Sequence, residues 1–286
     1  MFEWEAGGKH FHIRETANYD EYHTIEVLQK EAWGFDDLDV VPAAAFVATQ
    51  WAGGIVLGAF DGNVMIGFAY GFPAYEDGRT SLHSHMLAVK PEYRNAQAGF
   101  NLKLAQRDFA LGKGLNEITW TFDPLQSLNA HLNFAKLGVI SERYILNFYG
   151  ETSSSPLHQG FGTDRLWVRW LLESDRVKQR TSRDKPASRP HTPLTPEDVS
   201  QSALVHSADG LPRLADFDPL LSSNRCFIEI PYDITSIKER DPEAGRVWRE
   251  ATRAAFLASI KAGFTVEDFL KLESQDRPRW FYLLTR

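Results

Sequence analysis

The chain of 286 residues has one cysteine, Cys226, so neither an internal disulfide framework nor a cysteine-rich zinc site can be built from it. Basic residues are not in excess: 31 Lys and Arg stand against 38 Asp and Glu, a net charge of −7 that gives a nucleic-acid partner no electrostatic footprint. No apolar run reaches the ~18–20 residues needed to cross a bilayer, so no membrane association is expected. The opening Met1-Phe-Glu-Trp-Glu lacks the basic region and hydrophobic stretch of a signal peptide, which makes the cytoplasm the expected location. Nor is the chain poor in apolar residues: at 43% hydrophobic it has ample material for a core, and its length points to two domains.

Elements can be read along the chain from periodicity and punctuation. Residues 11–17 read as a strand. Asn18 with Glu21 forms a capping box ahead of a helix whose stripe is Tyr22, Ile25, Leu28 and Ala32, and Gly34 stops it. A shorter helix spans 42–51. Strands follow at 55–60, 64–70 and 81–89, the first two joined by Asp61-Gly62, a hairpin signal. Helix 98–111, strand 117–122, helix 127–137 closed by Gly138, and strands 144–149 and 166–172 complete a first domain over 1–172. The order is that of a mixed α/β (α+β) fold, a mostly antiparallel central sheet flanked by helices. Residues 173–201, rich in charge, Pro, Ser and Thr, read as a linker. A C-terminal α/β domain over 202–286 follows: strand 225–231, a helix opened by Asp241-Pro242 and closed by Gly263, then strands 265–272 and 280–285. This β-α-β-β order echoes 117–172, a degenerate half-repeat. The unit is too small to bury a full core alone and is expected to pack on the first domain or on a second chain, the latter giving a homodimer.

The most informative stretch is Leu87-Ala-Val-Lys-Pro-Glu-Tyr-Arg94-Asn-Ala-Gln97-Ala98-Gly99-Phe-Asn-Leu102, where a strand ends, a tight loop follows and a helix begins. Unpaired N–H groups at a helix start suit a diphosphate. Gly99 would let phosphates approach the backbone, and Arg94 could add a charge-assisted contact; the bland alternative is a turn glycine and a solvated arginine. This loop, the surrounding element order and the Ser127-Leu-Asn129-Ala130…Lys136-Leu-Gly138 segment resemble the GNAT superfamily of acyl-CoA N-acyltransferases over residues 10–172. The family's Arg/Gln-x-x-Gly-x-Gly/Ala loop here reads Arg94-Asn-Ala-Gln97-Ala-Gly99, with Gln97 where the first glycine belongs. Ser84-His-Met-Leu, Thr119-Trp-Thr-Phe-Asp-Pro-Leu and Phe148-Tyr-Gly are similar to a branch with a C-terminal extension, some of whose members act in N-acylamino-acid metabolism, N-succinylation included.

The resemblance implies acetyl-CoA or another acyl-CoA, succinyl-CoA among them, as donor, a small-molecule amine as acceptor, and no metal. It also places cofactor contacts at Leu87, Ala88, Val89, Arg94, Asn95, Gln97, Ala98, Gly99, Phe100 and Asn129, and an irregularity in strand 81–89 whose N–H groups meet the pantetheine and thioester carbonyl. The glutamate that many relatives carry on that strand is missing, but His83 and His85 are present, and imidazole suits proton abstraction at neutral pH. Alternation puts both, with Leu87, on one face, and the competing reading is a pair of half-buried, hydrogen-bonded strand histidines. Asp123, at the end of strand 117–122, is a second candidate base or an ammonium ligand, or else a turn aspartate capping nearby N–H groups. The family's tyrosine acid aligns near Phe134, which cannot donate, so Tyr144 and Tyr149 are the candidates to replace it. Tyr149 also counts, with Arg165, as a substrate-binding residue: Arg165 follows the glycine-rich loop His158-Gln-Gly160-Phe-Gly162 and could clamp a carboxylate, or pair with Asp164. Arg246, Arg249 and Arg253 read as a solvated or Glu-paired helix face, with Glu243 and Glu250 as partners, and Cys226 as a buried structural thiol. The alternative to an enzyme is a non-catalytic CoA-binding or sensing module with a degraded active site.

Overall fold

The computed structural model describes residues 2–150, 161–182, 194–207, 210–216, 220, 222–273 and 278–286. They fall into two compact units, one from Met1–Trp120 with Leu171–Glu173, the other from Thr121–Glu151, Gly160–Trp170 and Ser174–Arg286.

In the first unit the elements run β1 (Phe2–Ala6), β2 (Lys9–Glu15), α1 (Tyr19–Trp33), α2 (Ala43–Trp51), β3 (Ile55–Asp61), β4 (Val64–Glu76), β5 (Arg79–Val89), a 3-10 turn (Pro91–Ala96), α3 (Ala98–Gly112) and β6 (Glu117–Phe122). Strands β1 to β5 pair with their sequence neighbours in antiparallel fashion, and β6 joins parallel to β5 through Leu82↔Ile118 and His83↔Thr119. Asn18 caps α1, its Oδ1 accepting the Glu21 N–H at 3.0 Å. The glutamate reaches back to the Ala17 N–H at 2.8 Å, one residue earlier than a capping box requires, and pairs with Arg14. Tyr22, Ile25 and Leu28 of α1 and Phe46 of α2 pack on Val56, Phe68 and Met86 of the sheet. Each such fully buried apolar side chain contributes about 1.5–3 kcal/mol.

Two strand features were not anticipated. Strand β1 precedes the expected first strand, turned back on it by Gly7 and Gly8 at φ 57° and 75°. Strands β4 and β5 also run far past their expected junction. Pro73 sits in β4 beyond the reach of β3, which stops pairing at Gly71, so only one neighbour needs its backbone and the missing N–H costs nothing. Asp77 and Gly78, both at positive φ, make the turn.

The second unit contains α4 (Ser127–Ala130) running into a π-helical turn (His131–Leu137), β7 (Ile140–Ile145), β8 (Arg165–Leu171), α5 (Asp175–Thr181), α6 (Pro196–Val199), β9 (Leu204–His206), β10 (Pro212–Leu214), β11 (Arg225–Ile230), α7 (Ile234–Arg240), α8 (Pro242–Lys261), β12 (Thr265–Leu272) and β13 (Arg279–Thr285). Its sheet is ordered β8-β7-β12-β13-β11 and is antiparallel throughout, while β9 and β10 form a separate hairpin.

Two hairpins in this sheet share a local pattern. Hairpins β7–β8 and β12–β13 meet where Ser141 pairs with Val266, and each first strand shifts register at that point, between Ser141 and Arg143 and between Val266 and Asp268. The sequences align there as Lys136-Leu-Gly138-Val-Ile-Ser-Glu142-Arg-Tyr144 and Lys261-Ala-Gly263-Phe-Thr-Val-Glu267-Asp-Phe269, with both glycines at positive φ.

Three expectations are corrected in this unit. The strand read at 144–149 lies at 140–145, because Asn147 at φ 45° breaks the extension. Residues 175–181, inside the stretch read as a linker, form α5, capped by Ser174 and tied to Asp268 through Arg180. Residues 183–193 of that stretch lie outside the described residues. Finally, Arg249, read as part of a solvated or Glu-paired face, is buried on α8 with Thr252, Phe256 and Ser259 beside Trp248, Ala251 and Ala255.

Candidate active site

In the first unit the chemistry gathers on β5 and the loop after it. Tyr70 pairs with Met86 and Gly71 with Ser84, so His85 is an extra residue, a bulge on β5. The bulge breaks the alternation that would have put His83, His85 and Leu87 on one face. His83 and Ser84 are both buried, and His85 is exposed. The two imidazoles still lie together, 6.2 Å apart, and each packs against Phe72 at about 5.5 Å.

His83 meets the Thr119 hydroxyl through Nδ1 at 3.0 Å, and burial, reinforced by His85 and Lys103, pushes its pKa down to about 4. Surrounding protein also lowers the pKa of His85 from its ordinary value, through loss of hydration. Both rings are therefore neutral at pH 7, as a proton acceptor must be.

A buried polar chain under β5 was not legible in the sequence. Lys103, on α3 and 4% exposed, donates to Ser84 Oγ at 2.8 Å, and Ser84 donates to Gln106 Oε1 at 2.9 Å. The ammonium lies 3.6 Å from the centroid of the Trp120 ring, and burial drives its pKa well down. Only the i+1 position of Lys103 after the core residue Leu102 hinted at this.

The loop after β5 turns on a left-handed residue. Gln97, at the position of the family's first glycine, has φ 59° and ψ 15°, the left-handed geometry glycine adopts freely. Its side chain makes no cap, so the first N–H groups of α3, at Ala98, Gly99 and Phe100, end the helix without a side-chain partner from the cap residue. At Gly99 a β-carbon would meet only Leu87 at 3.7 Å and Val89 at 4.0 Å, ordinary contacts. No neighbouring atom stands in the way of a side chain at that position. Leu87, Ala88 and Val89 lead into this loop, Arg94 and Asn95 are exposed on it, and the Trp4 indole anchors it by donating to the Ala96 carbonyl at 2.7 Å. The residues fit a coenzyme A diphosphate.

The second unit carries the remaining candidates. Asp123 is buried; its Oδ1 accepts the Leu125 N–H at 2.9 Å and its Oδ2 receives Arg249 Nη2 at 2.7 Å. Burial alone would raise its pKa, but the charge and hydrogen bond of Arg249 outweigh that and hold it at about 2. The Tyr144 hydroxyl donates to Asp164 at 2.8 Å, and burial raises its pKa. Asp164 is also gripped by two arms of Arg253, at 2.7 and 3.1 Å. Arg165 lies near these groups, 5.1 Å from the Tyr149 ring, and Asn129 is exposed on α4. Residues 158–160 of the glycine-rich loop lie outside the described residues.

Arg249 and Arg253 are thus corrected: they are not a solvated row paired with glutamates. Arg246 alone pairs with Glu243, while the other two reach buried aspartates. Their spacing with Thr252, Phe256 and Ser259 was the available signal. Phe134, in the place of the family's tyrosine, is fully buried, its ring 5.5 Å from that of Tyr282. Cys226 is buried, with Ser259 Oγ 3.7 Å away. No group of three or more His, Cys, Asp or Glu side chains among the described residues is arranged to hold a metal ion.

The model of the acetyltransferase (GNAT) family matches residues 16–139, the stretch from α1 through β5, the loop and α3 to the π-helical turn. Residues 16–139 are a GNAT acetyltransferase domain.

Solved structures similar to the chain include the ribosomal-protein-S18-alanine N-acetyltransferase of Escherichia coli, at 15% identity and TM-score 0.46 over 57% of this chain and 95% of that one. Another is yncA of Salmonella typhimurium, solved with its cofactor acetyl-CoA, at 18% identity and TM-score 0.47 over 57% and 95%. A third is aminoglycoside 6'-acetyltransferase type Ii, at 20% identity and TM-score 0.46 over 57% and 98%. Comparison with curated proteins returns no match. No helix among the described residues is long and apolar enough to cross a membrane.

Proposed function

We propose that the chain is an acyl-CoA-dependent N-acyltransferase that moves an acetyl or succinyl group to the amine of a small molecule, amino acids being the first acceptors to test. The observation that carries this reading is the sequence of features along β5 and α3 of the GNAT domain: a bulge at His85, a left-handed Gln97, and a helix start at Gly99 that is open on its outer side.

In this reading the N–H groups of Ala98, Gly99 and Phe100 hold the diphosphate with the positive end of the α3 dipole behind them. Arg94 and Asn95 add contacts from the loop, and the backbone of Leu87, Ala88 and Val89 follows the pantetheine. The acyl-CoA supplies a thioester carbonyl open to attack. A bulge takes a residue out of the ladder, and in this reading the backbone N–H of His85 donates to that carbonyl oxygen. His85, neutral and exposed, takes the proton from the attacking amine; His83, fixed by Thr119, orders the neighbouring ring through Phe72. A coenzyme A thiol of ordinary pKa, about 8.5, can leave as thiolate without a strong acid. Asp123 and Tyr144 are given supporting roles here: a carboxylate held near pKa 2 is a weak base, and the tyrosine's proton is committed to Asp164.

The test is thiol release from acetyl-CoA and succinyl-CoA over a panel of amino acids and simple amines. His85→Gln should lower kcat by 10²-fold or more while leaving acyl-CoA affinity unchanged. Equal turnover by that variant would remove His85 from the chemistry.

A second reading, CoA binding without turnover, draws on the buried Phe134 and the committed Tyr144. Saturable binding with no thiol release over the whole panel would favour it.

A further inference from the structure

We propose that the second unit binds a carboxylate at a buried cationic cluster centred on Arg249, with Lys238 and Arg165 beside it. Arg249 is 3% exposed, and only its Nη2 is used, on Asp123; its Nε and Nη1 are buried with no hydrogen-bond partner among the described residues. A buried guanidinium with idle N–H groups is costly unless an acceptor reaches it.

The neighbouring carboxylates do not fill that need. Asp123 spends one oxygen on Arg249 and the other on the Leu125 N–H. Asp164 is occupied by both arms of Arg253, the Tyr144 hydroxyl and the Asn147 N–H. Asp123 and Asp164 are thereby matched to Arg249 and Arg253, Arg165 donates to the Asp164 backbone carbonyl, and Lys238 stands beside them. It forms no ion pair among the described residues, its ammonium sits 4.3 Å from the centroid of the Phe161 ring, and burial with the charges of Arg249 and Arg165 lowers its pKa.

Two idle N–H-bearing nitrogens on Arg249 beside an ammonium suit an anion with two acceptor oxygens, and a carboxylate supplies them. Its source is either an acceptor's own carboxylate, as in an amino acid, or the distal carboxylate of a dicarboxylic acyl donor. This inference rests on the acyltransferase reading for what the carboxylate belongs to, and on the cluster alone for its binding.

The test uses the full chain and its Lys238→Gln, Arg249→Lys and Arg246→Gln forms. Thermal unfolding is followed with acetate, succinate, glutarate and N-acetylglycine at 10 mM against chloride and sulfate at matched ionic strength. At least one carboxylate should raise Tm of the wild type and the surface control Arg246→Gln by about 2 °C or more, and should lose that effect in Lys238→Gln. Carboxylates no better than sulfate or chloride, or an undiminished effect in Lys238→Gln, would overturn the proposal. Arg249→Lys adds a second readout where it folds: its carboxylate response should fall at least tenfold in affinity.

Matched pairs then identify the source. Phenylalanine against 2-phenylethylamine reads the acceptor, and succinyl-CoA against butyryl-CoA reads the donor. Acetyl-CoA binding, measured in parallel, keeps the two claims apart: intact CoA binding without a carboxylate response sinks this inference alone.

Discussion

Replacing Asp123 by asparagine keeps the shape of the residue and removes its charge, which leaves Arg249 buried without a counter-ion. The carboxylate is held at about pKa 2 against an ordinary 3.8, a difference of about 1.8 units and so about 2 kcal/mol of coupling at neutral pH. Stranding the guanidinium adds desolvation that nothing offsets, and breaking a buried pair from one side costs about 3–5 kcal/mol in total. At about 2–4 °C per kcal/mol for a unit of this size, Tm should fall by about 6–20 °C. Urea unfolding measures the same loss as a free energy.

The double variant Asp123→Asn/Arg249→Met, which removes both charges, should regain about 2 kcal/mol relative to the sum of the single effects. The sign with pH follows from the depressed pKa. Stability from this pair is fully present above about pH 4 and is lost as pH falls through 2, so Asp123→Asn should flatten that part of the acid limb. A loss below about 1 kcal/mol, or additive single and double variants, would refute the claim that the pair is buried and coupled.

Gly99→Ala should stabilise the unliganded protein by about 0.5–1 kcal/mol, since alanine is the better helix former and its β-carbon meets only ordinary contacts, yet weaken acetyl-CoA binding at least tenfold; calorimetry and thermal unfolding read the two effects. Gln97→Gly should relieve the left-handed backbone by about 1 kcal/mol and leave CoA affinity intact, measured in the same way. His83 and His85 have lowered pKa values, so kcat/KM should stay flat down through pH 6.5 and fall only below it; a limb centred at or above 7 would exclude both as the base. The same shifts remove stability as pH falls from about 6.5 toward 4, because the unfolded chain takes up protons that folded His83 refuses.

The order of elements was legible because most of them are punctuated locally. Asn18, Gly34, Asp61-Gly62, Gly138, Asp241-Pro242 and Gly263 each fix a boundary through cap or turn chemistry. What escaped reading depends on distant partners. Pro73 looks like a strand breaker until it is known that only β5 pairs with that end of β4. The bulge that exposes His85 arises from register against Gly71, which no periodicity within β5 records. Arg249 reads as an ordinary charged helix residue, and Lys103 carries no signal of its own, because their partners, Asp123 and Ser84, lie 126 and 19 positions away. The loop at 94–99 was legible in outline, and the structure adds that Gln97 has a left-handed backbone.

Every step of the proposed reaction requires acyl-CoA binding at the start of α3. Calorimetric titration of acetyl-CoA into the wild type and into Gly99→Val tests it most directly. Saturable binding to the wild type, at least tenfold weaker in a variant with unchanged thermal stability, is the expected result. No measurable binding to the wild type, or equal affinity in both proteins, would contradict it.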